Sequence, residues 1–579
     1  MTPYDLVSQD GTIVDGTGGA RRFGDIGIRD GVIDRISGDL SSAPSRRLIN
    51  AAGKIVAPGV IDSHTHYDAQ INWDPYCTNS SWHGCTTVVV GNCGFGFAPC
   101  RPEAQDRYMR MMEKTEQVPI GAMRKALGWQ WESYPQWKEH MRRLPKGINV
   151  ASYLPLNSLM IYVMGYENAK TRGANRSERQ MMRDILNEAM DAGAIGFGFS
   201  YLNQLNTHRD CDGTAMPTDE MRVEDAYALA EVLQERDQGC IQCLCELPNG
   251  VSNRHVAEEL ARLSGRPVLH NAVLVINELP HYHAGILGWL DQTEARGLNM
   301  FTMALLYRFW NEFNADDWDQ WQAVPLFKTF TFAGTAADKA ALAADPAFLE
   351  RARSEYDPNQ LIPTGGPLES YRLQTANTAR DFTKFEGQHI GAIASALGRP
   401  VTDVFFEIVA KSGCTADFRA ADTSNVDVDF AEAVLRHKRV VPGTSDGGAH
   451  VKFYSGGQYS TDNIVHMVRE QKRMSLEEMH YKLSGLPSRI IGLNQRGTLQ
   501  EGHAADLYVY DFEKLDFDRT RLEVVHDLPD GDWRRVCRAQ GIDAVVVNGE
   551  QIFDRGTCTG ATPGRLIGNG NAAMDASLR

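Results

Sequence analysis

Long apolar runs are missing from this chain. Nowhere in its 579 residues do 18 apolar residues follow one another, so no transmembrane helix is expected. The first residues, Met1-Thr-Pro-Tyr-Asp-Leu, lack the basic and apolar regions of a signal peptide. A cytoplasmic protein with no membrane partner is expected. Repeats and low-complexity tracts are absent as well. Positive charge is in short supply: 59 Lys and Arg face 74 Asp and Glu, a net −15. That balance disfavours nucleic acid or an anionic membrane surface as partner and suits a small-molecule substrate. Cysteine is sparse and odd in number, eleven in all, which excludes a disulfide scaffold and points to reduced, mostly buried thiols. The group Cys240, Cys243 and Cys245 has no second pair facing it and reads as strand filling.

What is present is an ordinary globular composition, 42% apolar and 23% charged. The length suffices for one large barrel plus a smaller domain, or for three ordinary domains. Residues 5–57 alternate short β-rich pieces with turns at Asp10-Gly11, Asp15-Gly16, Asp30-Gly31 and Ala52-Gly53, a hairpin texture. The texture returns in residues 498–510 and 544–549. Between these ends, apolar runs at 55–61, 85–90, 150–154, 194–199, 240–245, 267–270, 298–303 and 440–442 alternate with helical stretches. Eight such runs are what a (β/α)8 barrel needs.

The expected fold is therefore α/β: a (β/α)8 TIM-like barrel over 58–487, with a small β-sandwich domain built from 1–57 and 488–579. Insertions interrupt the alternation at 101–147, rich in Met and Trp, and at 328–438, with helices expected at 336–344 and 390–397. The tail 568–579 is expected to fray.

Chemistry concentrates at three places. In Pro58-Gly-Val-Ile-Asp-Ser-His-Thr-His-Tyr-Asp68, His64 and His66 stand two apart after an apolar run. Positions i and i+2 of a strand share a face, so both imidazoles can reach one ion. Cys93 lies in Gly91-Asn-Cys-Gly94, where flanking glycines allow a tight turn at a strand end. Buried cysteine is usually inert, so on local sequence alone Cys93 is either ligand or core. In Gly443-Thr-Ser-Asp-Gly-Gly-Ala-His450, Asp446 is either a turn former or a carboxylate placed to handle protons. His450 could line the pocket, orient Asp446 or finish a loop.

The His-x-His segment resembles the amidohydrolase superfamily. Residues 86–94, Thr-Thr-Val-Val-Val-Gly-Asn-Cys-Gly, look like the N-acyl-D-amino-acid deacylase (D-aminoacylase) family, in which a cysteine ligand holds the place of a carboxylated lysine or glutamate. The resemblance implies that His64, His66 and Cys93 hold a metal, zinc above others. It also implies that Asp446 joins them as ligand and as general base and acid, and that a barrel is flanked by a β-sandwich.

The chain departs from that pattern at three strands. The fifth reads Gly239-Cys-Ile-Gln-Cys-Leu-Cys-Glu246, without the family's histidine. The sixth reads Arg266-Pro-Val-Leu-His-Asn-Ala272, placing His270 two residues early; a shift of two keeps the strand face and moves the side chain about 6–7 Å, so His270 is a candidate ligand. After the third strand, Asn157 stands where the family has histidine and could donate to a substrate oxygen. Arg308 is a candidate carboxylate clamp or a salt-bridge partner.

One ion rather than two is expected. The resemblance implies a metal-dependent hydrolase that uses metal-activated hydroxide on the C–N bond of an N-acyl amino acid or related acylated amine, and a homo-oligomer is expected. A cyclic amide, a lactone or an activated C–C bond on a bulkier substrate is the alternative, favoured by the aromatic insertion. A non-catalytic binding or assembly barrel is the third reading, and the retained Asp446 argues against it.

Overall fold

The computed structural model describes residues 3–568 apart from 204, 205, 207, 249, 278, 309, 319, 320, 322, 323 and 421–426. Most of the tail expected to fray, 569–579, lies outside the described residues. No described helix is long and apolar enough to cross a membrane.

The chain opens with β1 (Leu6–Ile13), β2 (Arg22–Arg29), β3 (Val32–Ser37), β4 (Leu48–Asn50) and β5 (Ile55–Pro58). Two residues, Asp30 and Gly31, connect β2 to β3 at φ 53° and 80°, the paired left-handed turn that matches strand twist. Asn548-Gly549 repeats it at φ 45° and 83° between strands Ile542–Val547 and Glu550–Asp554. Asp10-Gly11, expected to be a turn, is instead a bulge inside β1: the register with β2 shifts between Ser8 and Gly11, and the Asp10 N–H donates to Asp25 Oδ1 at 2.8 Å. The strand Leu507–Tyr510 pairs with β5 and with Ile542–Val547, joining both chain ends in one nine-stranded sheet.

The single apolar run 55–61 serves two sheets. β5 belongs to the nine-stranded one; β6 (Val60–Asp62) pairs in parallel with β7 (Cys85–Val90). The switch falls at Gly59, where a Cβ would sit 2.1 Å from Thr86 Oγ1.

Nine strands, in two sheets, follow the expected order. β6, β7 and β8 (Asn149–Ser152) form one parallel arc. The second arc holds β9 (Leu154–Pro155), β10 (Gly196–Ser200), β11 (Cys240–Leu244), β12 (Val268–Leu274), β13 (Met300–Leu305) and the strand Val440–Pro442, all parallel neighbours in that order. The arcs share one buried cluster: Ile61, Val89, Ala151, Ile195, Cys240, Leu269, Phe301, Met303 and Val441. At the far ends, Thr65 bridges Gly447 in parallel, so the loop after β6 meets the loop after Val440–Pro442. Cys240, Cys243 and Cys245 are buried in β11 and just after it, as strand filling requires.

The first insertion is α1 (Gln105–Glu116), α2 (Ile120–Ala126) and α3 (Tyr134–Arg143). α1 buries Tyr108, Met109, Met111 and Met112, and α3 buries Tyr134, Trp137 and Met141. The second insertion contains helices Ala336–Ala343 and Ile390–Leu397. It also contributes to a three-stranded sheet of Glu312–Asn314, Arg372–Thr375 and Asp417–Arg419 that the sequence reading did not foresee.

Candidate metal centre

Three loops at the C-terminal strand ends build the site. Beyond β6 the chain runs through Ser63, His64, Thr65 and His66, all buried. Beyond β7 it turns through Gly91 at φ 82°, Cys93 at φ 54° and Gly94 at φ 83°. A Cβ on Gly91 would lie 2.7 Å from the Tyr153 carbonyl, so position 91 needs glycine for space as well as for φ. Beyond Val440–Pro442, Thr444, Asp446 and His450 take φ 58°, 48° and 53°. Four non-glycine residues in the left-handed region around one spot is strain of the kind functional sites hold.

Hydrogen bonds join the loops. The His66 N–H donates to the Gly447 carbonyl at 2.8 Å. Ser445 Oγ donates to Asp62 Oδ2 at 2.7 Å and to the His64 carbonyl at 3.3 Å. These contacts set Asp446 against the histidines. Its Oδ1 lies 3.3 Å from His64 Nε2 and 3.8 Å from His66 Nε2.

The ligand atoms of His64, His66 and Cys93 all lie within 4.8 Å of one another. Cys93 Sγ is 3.6 Å from His64 Nε2. Burial holds the His64 imidazole down to about 3 and His66 well below its usual value, so both rings are neutral with a lone pair to offer. Burial, joined by the Asp62 charge, pushes Asp446 up to about 7. Burial and then the Glu116 and Asp446 charges push the Cys93 thiol well above its ordinary range. A thiol and carboxylates held among neutral imidazoles form a donor set that a cation reconciles.

Two amides support this set. The Cys93 N–H donates to Gln242 Oε1, on β11, at 2.7 Å. Asn271 Nδ2, on β12, meets His64 Nδ1 at 2.6 Å, leaving Nε2 toward Cys93 and Asp446. Asn271 Oδ1 is buried without a hydrogen-bond partner, so turning the amide over would let it accept from a protonated Nδ1.

His270 is not part of the group, which corrects the expectation that it points inward. Leu269 belongs to the inner cluster, so Asn271 shares its face and His270 takes the other. There its ring meets Trp289 edge-on at 5.3 Å, and burial lowers it to about 3. Arg308 is likewise engaged elsewhere, pairing with Asp462 at 2.6 Å and Glu470 at 2.9 Å. Asn157 Oδ1 accepts from the Thr218 N–H at 3.1 Å. Its Nδ2 is buried beside Gly94 with no hydrogen-bond partner. His450 Nε2 lies 3.6 Å from Glu116 Oε2, with its ring against Phe453.

The sequence reading missed Gln242, Asn271, Glu116 and His208. Only strand parity could have found the two amides. Glu116 ends α1, and its Oε2 is 3.6 Å from His66 Nε2. His208 follows β10; its ring lies 5.7 Å from Phe95, and its charge would act on His64, His66 and His450.

The description of the amidohydrolase family fits the chain over residues 47–304 and 387–553. The chain belongs to the amidohydrolase family. Among amidohydrolase relatives, an N-acyl-D-aspartate deacylase of Alcaligenes xylosoxydans xylosoxydans is 25% identical over 98% of this chain and 96% of its own length. A D-aminoacylase of the same organism is 25% identical over 98% of both chains. An uncharacterized protein of Mycobacterium tuberculosis is 28% identical over 89% of this chain and 85% of its own. Among solved structures, an N-acyl-D-glutamate deacylase from Bordetella bronchiseptica, complexed with zinc and a phosphonate inhibitor, superposes with a TM-score of 0.64. It is 22% identical and covers 98% of this chain and 100% of that one, a likeness of fold. A D-aminoacylase described as having a binuclear metal center gives the same TM-score over 97% and 99%.

Proposed function

We propose that this protein is a metal-dependent amidohydrolase that cleaves the C–N bond of an N-acyl amino acid or a related acylated amine. The observation that carries the reading is the convergence of His64, His66, Cys93 and Asp446 from three separate strand ends. Full-length similarity to deacylases of N-acyl-D-aspartate and N-acyl-D-glutamate supports the substrate class. The two parallel arcs are read as halves of one (β/α)8 barrel, and the nine-stranded sheet as the β-sandwich beside it. The shared inner cluster and the Thr65–Gly447 bridge support that reading.

His64, His66 and Cys93 would hold one ion, with Asp446 as a further ligand; two imidazoles and a thiolate suit zinc. Such an ion supplies Lewis acidity toward the acyl carbonyl and makes adjacent water more acidic. Asp446 does the proton work: Oδ1 accepts the proton of the attacking water and returns it to the nitrogen of the departing amine. The Asn157 NH2 group, buried beside Gly94 without a hydrogen-bond partner, would donate to a substrate oxygen. Gln242 and Asn271 orient Cys93 and His64, while among the described residues no imidazole from β11 or β12 joins the group. That is the ground for one ion rather than two.

The test is hydrolysis of N-acyl-D-amino acids by native protein and by Asp446→Asn. The expected result is turnover by the native enzyme and a kcat about 10²–10⁴-fold lower in the variant. Turnover confined to lactones or other non-amide substrates would refute the proposal.

A further inference from the structure

The reaction scheme leaves the end of α1 unused, yet Glu116 is only 1% exposed. It is the last residue of the helix, where backbone carbonyls already concentrate negative charge. Negative charge buried in that place is stabilised by any cation that reaches it.

Two imidazoles are among the groups that face it. Glu116 Oε2 lies 3.6 Å from His66 Nε2 and 3.6 Å from His450 Nε2. Both separations are too long for a hydrogen bond. They equal the 3.6 Å between Cys93 Sγ and His64 Nε2. Atoms bound at about 2.0–2.2 Å to one tetrahedral ion stand roughly 3.3–3.6 Å apart. His66 Nε2 therefore has two carboxylate oxygens within reach, Asp446 Oδ1 at 3.8 Å and Glu116 Oε2 at 3.6 Å.

The backbone holds this arrangement. The His450 N–H donates to the Glu116 carbonyl at 2.5 Å, tying α1 to the loop that carries Asp446. Gln117, at φ 50°, ends the helix there. Among the described residues, the group whose ligand atoms all lie within 4.8 Å of one another is His64, His66 and Cys93, so Glu116 would join it from the His66 side.

We propose that Glu116 is a further protein ligand of the ion, delivered by the 101–147 insertion rather than by a strand. It supplies from outside the strands a donor that the amides of β11 and β12 do not provide. The proposal rests on the reading of His64, His66 and Cys93 as a metal site, and the experiment separates the two.

Protein stripped of metal by chelation is titrated with Zn²⁺ against a chromophoric competitor, and the same samples are examined with Co²⁺. Wild type, Glu116→Gln, Glu116→Asp and the pair His64→Asn with His66→Asn are compared. The expected result is one Zn²⁺ bound by wild type, none by the double-histidine variant, and at least about tenfold weaker binding by Glu116→Gln. The Co²⁺ d–d bands shift in Glu116→Gln while the thiolate charge-transfer band remains, and Glu116→Asp recovers part of the affinity. Wild-type Zn²⁺ affinity with an unchanged Co²⁺ spectrum in Glu116→Gln, alongside loss in the double-histidine variant, overturns the proposal and leaves the metal site standing. No ion in wild type overturns both. Thermal unfolding of the metal-free proteins checks folding: Glu116→Gln should unfold no lower than wild type, since it removes a buried charge. Should it not fold, Glu116→Asp carries the comparison, with weaker Zn²⁺ binding than wild type expected and equal binding contradicting the proposal.

Discussion

The two arcs treat the same site differently. The first arc sends it atoms that bind cations: His64 and His66 beyond β6, Cys93 beyond β7. The second sends amides from its middle strands, Gln242 from β11 and Asn271 from β12, each hydrogen-bonded to a first-arc residue, and a carboxylate, Asp446, from beyond its last strand. The loops after β6 and β7 offer donors, and β11 and β12 hold those donors in place. The difference teaches that a place on the inner face of a strand does not make a residue a ligand, and that a nearby histidine need not be one. His270, in β12, stands against Trp289, while its neighbour Asn271 reaches the site.

That contrast can be broken at graded cost. The largest effect belongs to the donors after β6 and β7: Cys93→Ser should lower metal content and activity together, by more than about 100-fold in kcat/KM, because the thiolate would be both a ligand and a charge. Elemental analysis beside steady-state kinetics checks it. On the holding side, Asn271→Ala should weaken metal binding by about 10–100-fold with the ligands intact, since His64 loses the partner of its second nitrogen. Competition with a chelator reads that number. His270→Leu sharpens the comparison from the other direction. Metal affinity should stay at the wild-type value, and a stability change of no more than about 2 kcal/mol should appear in denaturant unfolding, from altered contact with Trp289. Loss of metal in that variant would place His270 among the ligands.

The smallest effect lies outside both arcs. Lys482 is buried, with Nζ donating to the carbonyls of His437 and Val440 at 2.6 and 2.9 Å, and burial lowers it from 10.5 to about 7. Between those values the unfolded chain binds a proton that the folded chain does not, so this group's contribution to stability rises with pH. The gain begins near pH 7 and is complete near 10.5. Lys482→Met should flatten the rise, measured by denaturant unfolding between pH 7 and 9.

Much of this organisation is legible in the residues themselves. Strand runs stand out because parallel strands buried on both faces are continuously apolar, as at residues 85–90 and 440–442. The Asp30-Gly31 hairpin follows from turn chemistry alone. His64, His66 and Asp446 are visible because local motifs at strand ends carry them. Asn271 was hidden by parity: an apolar run gives no sign of which face is inner, and β12 shifts register between His270 and Val273. Glu116 was hidden by distance. It ends a Met-rich amphipathic helix of ordinary composition, and only the folded chain brings it to His66. Gly59 shows a third limit, since one uninterrupted apolar run, 55–61, is divided between two sheets by a glycine that the pattern does not single out.

The central claim is that two imidazoles and one thiolate hold a single cation at the strand ends. X-ray absorption at the metal edge of natively purified protein tests it most directly. The account predicts about one ion per chain, with nitrogen or oxygen neighbours near 2.0–2.2 Å and one sulfur near 2.3 Å that disappears in Cys93→Ser. A metal shell without sulfur, or no stoichiometric metal at all, would contradict it.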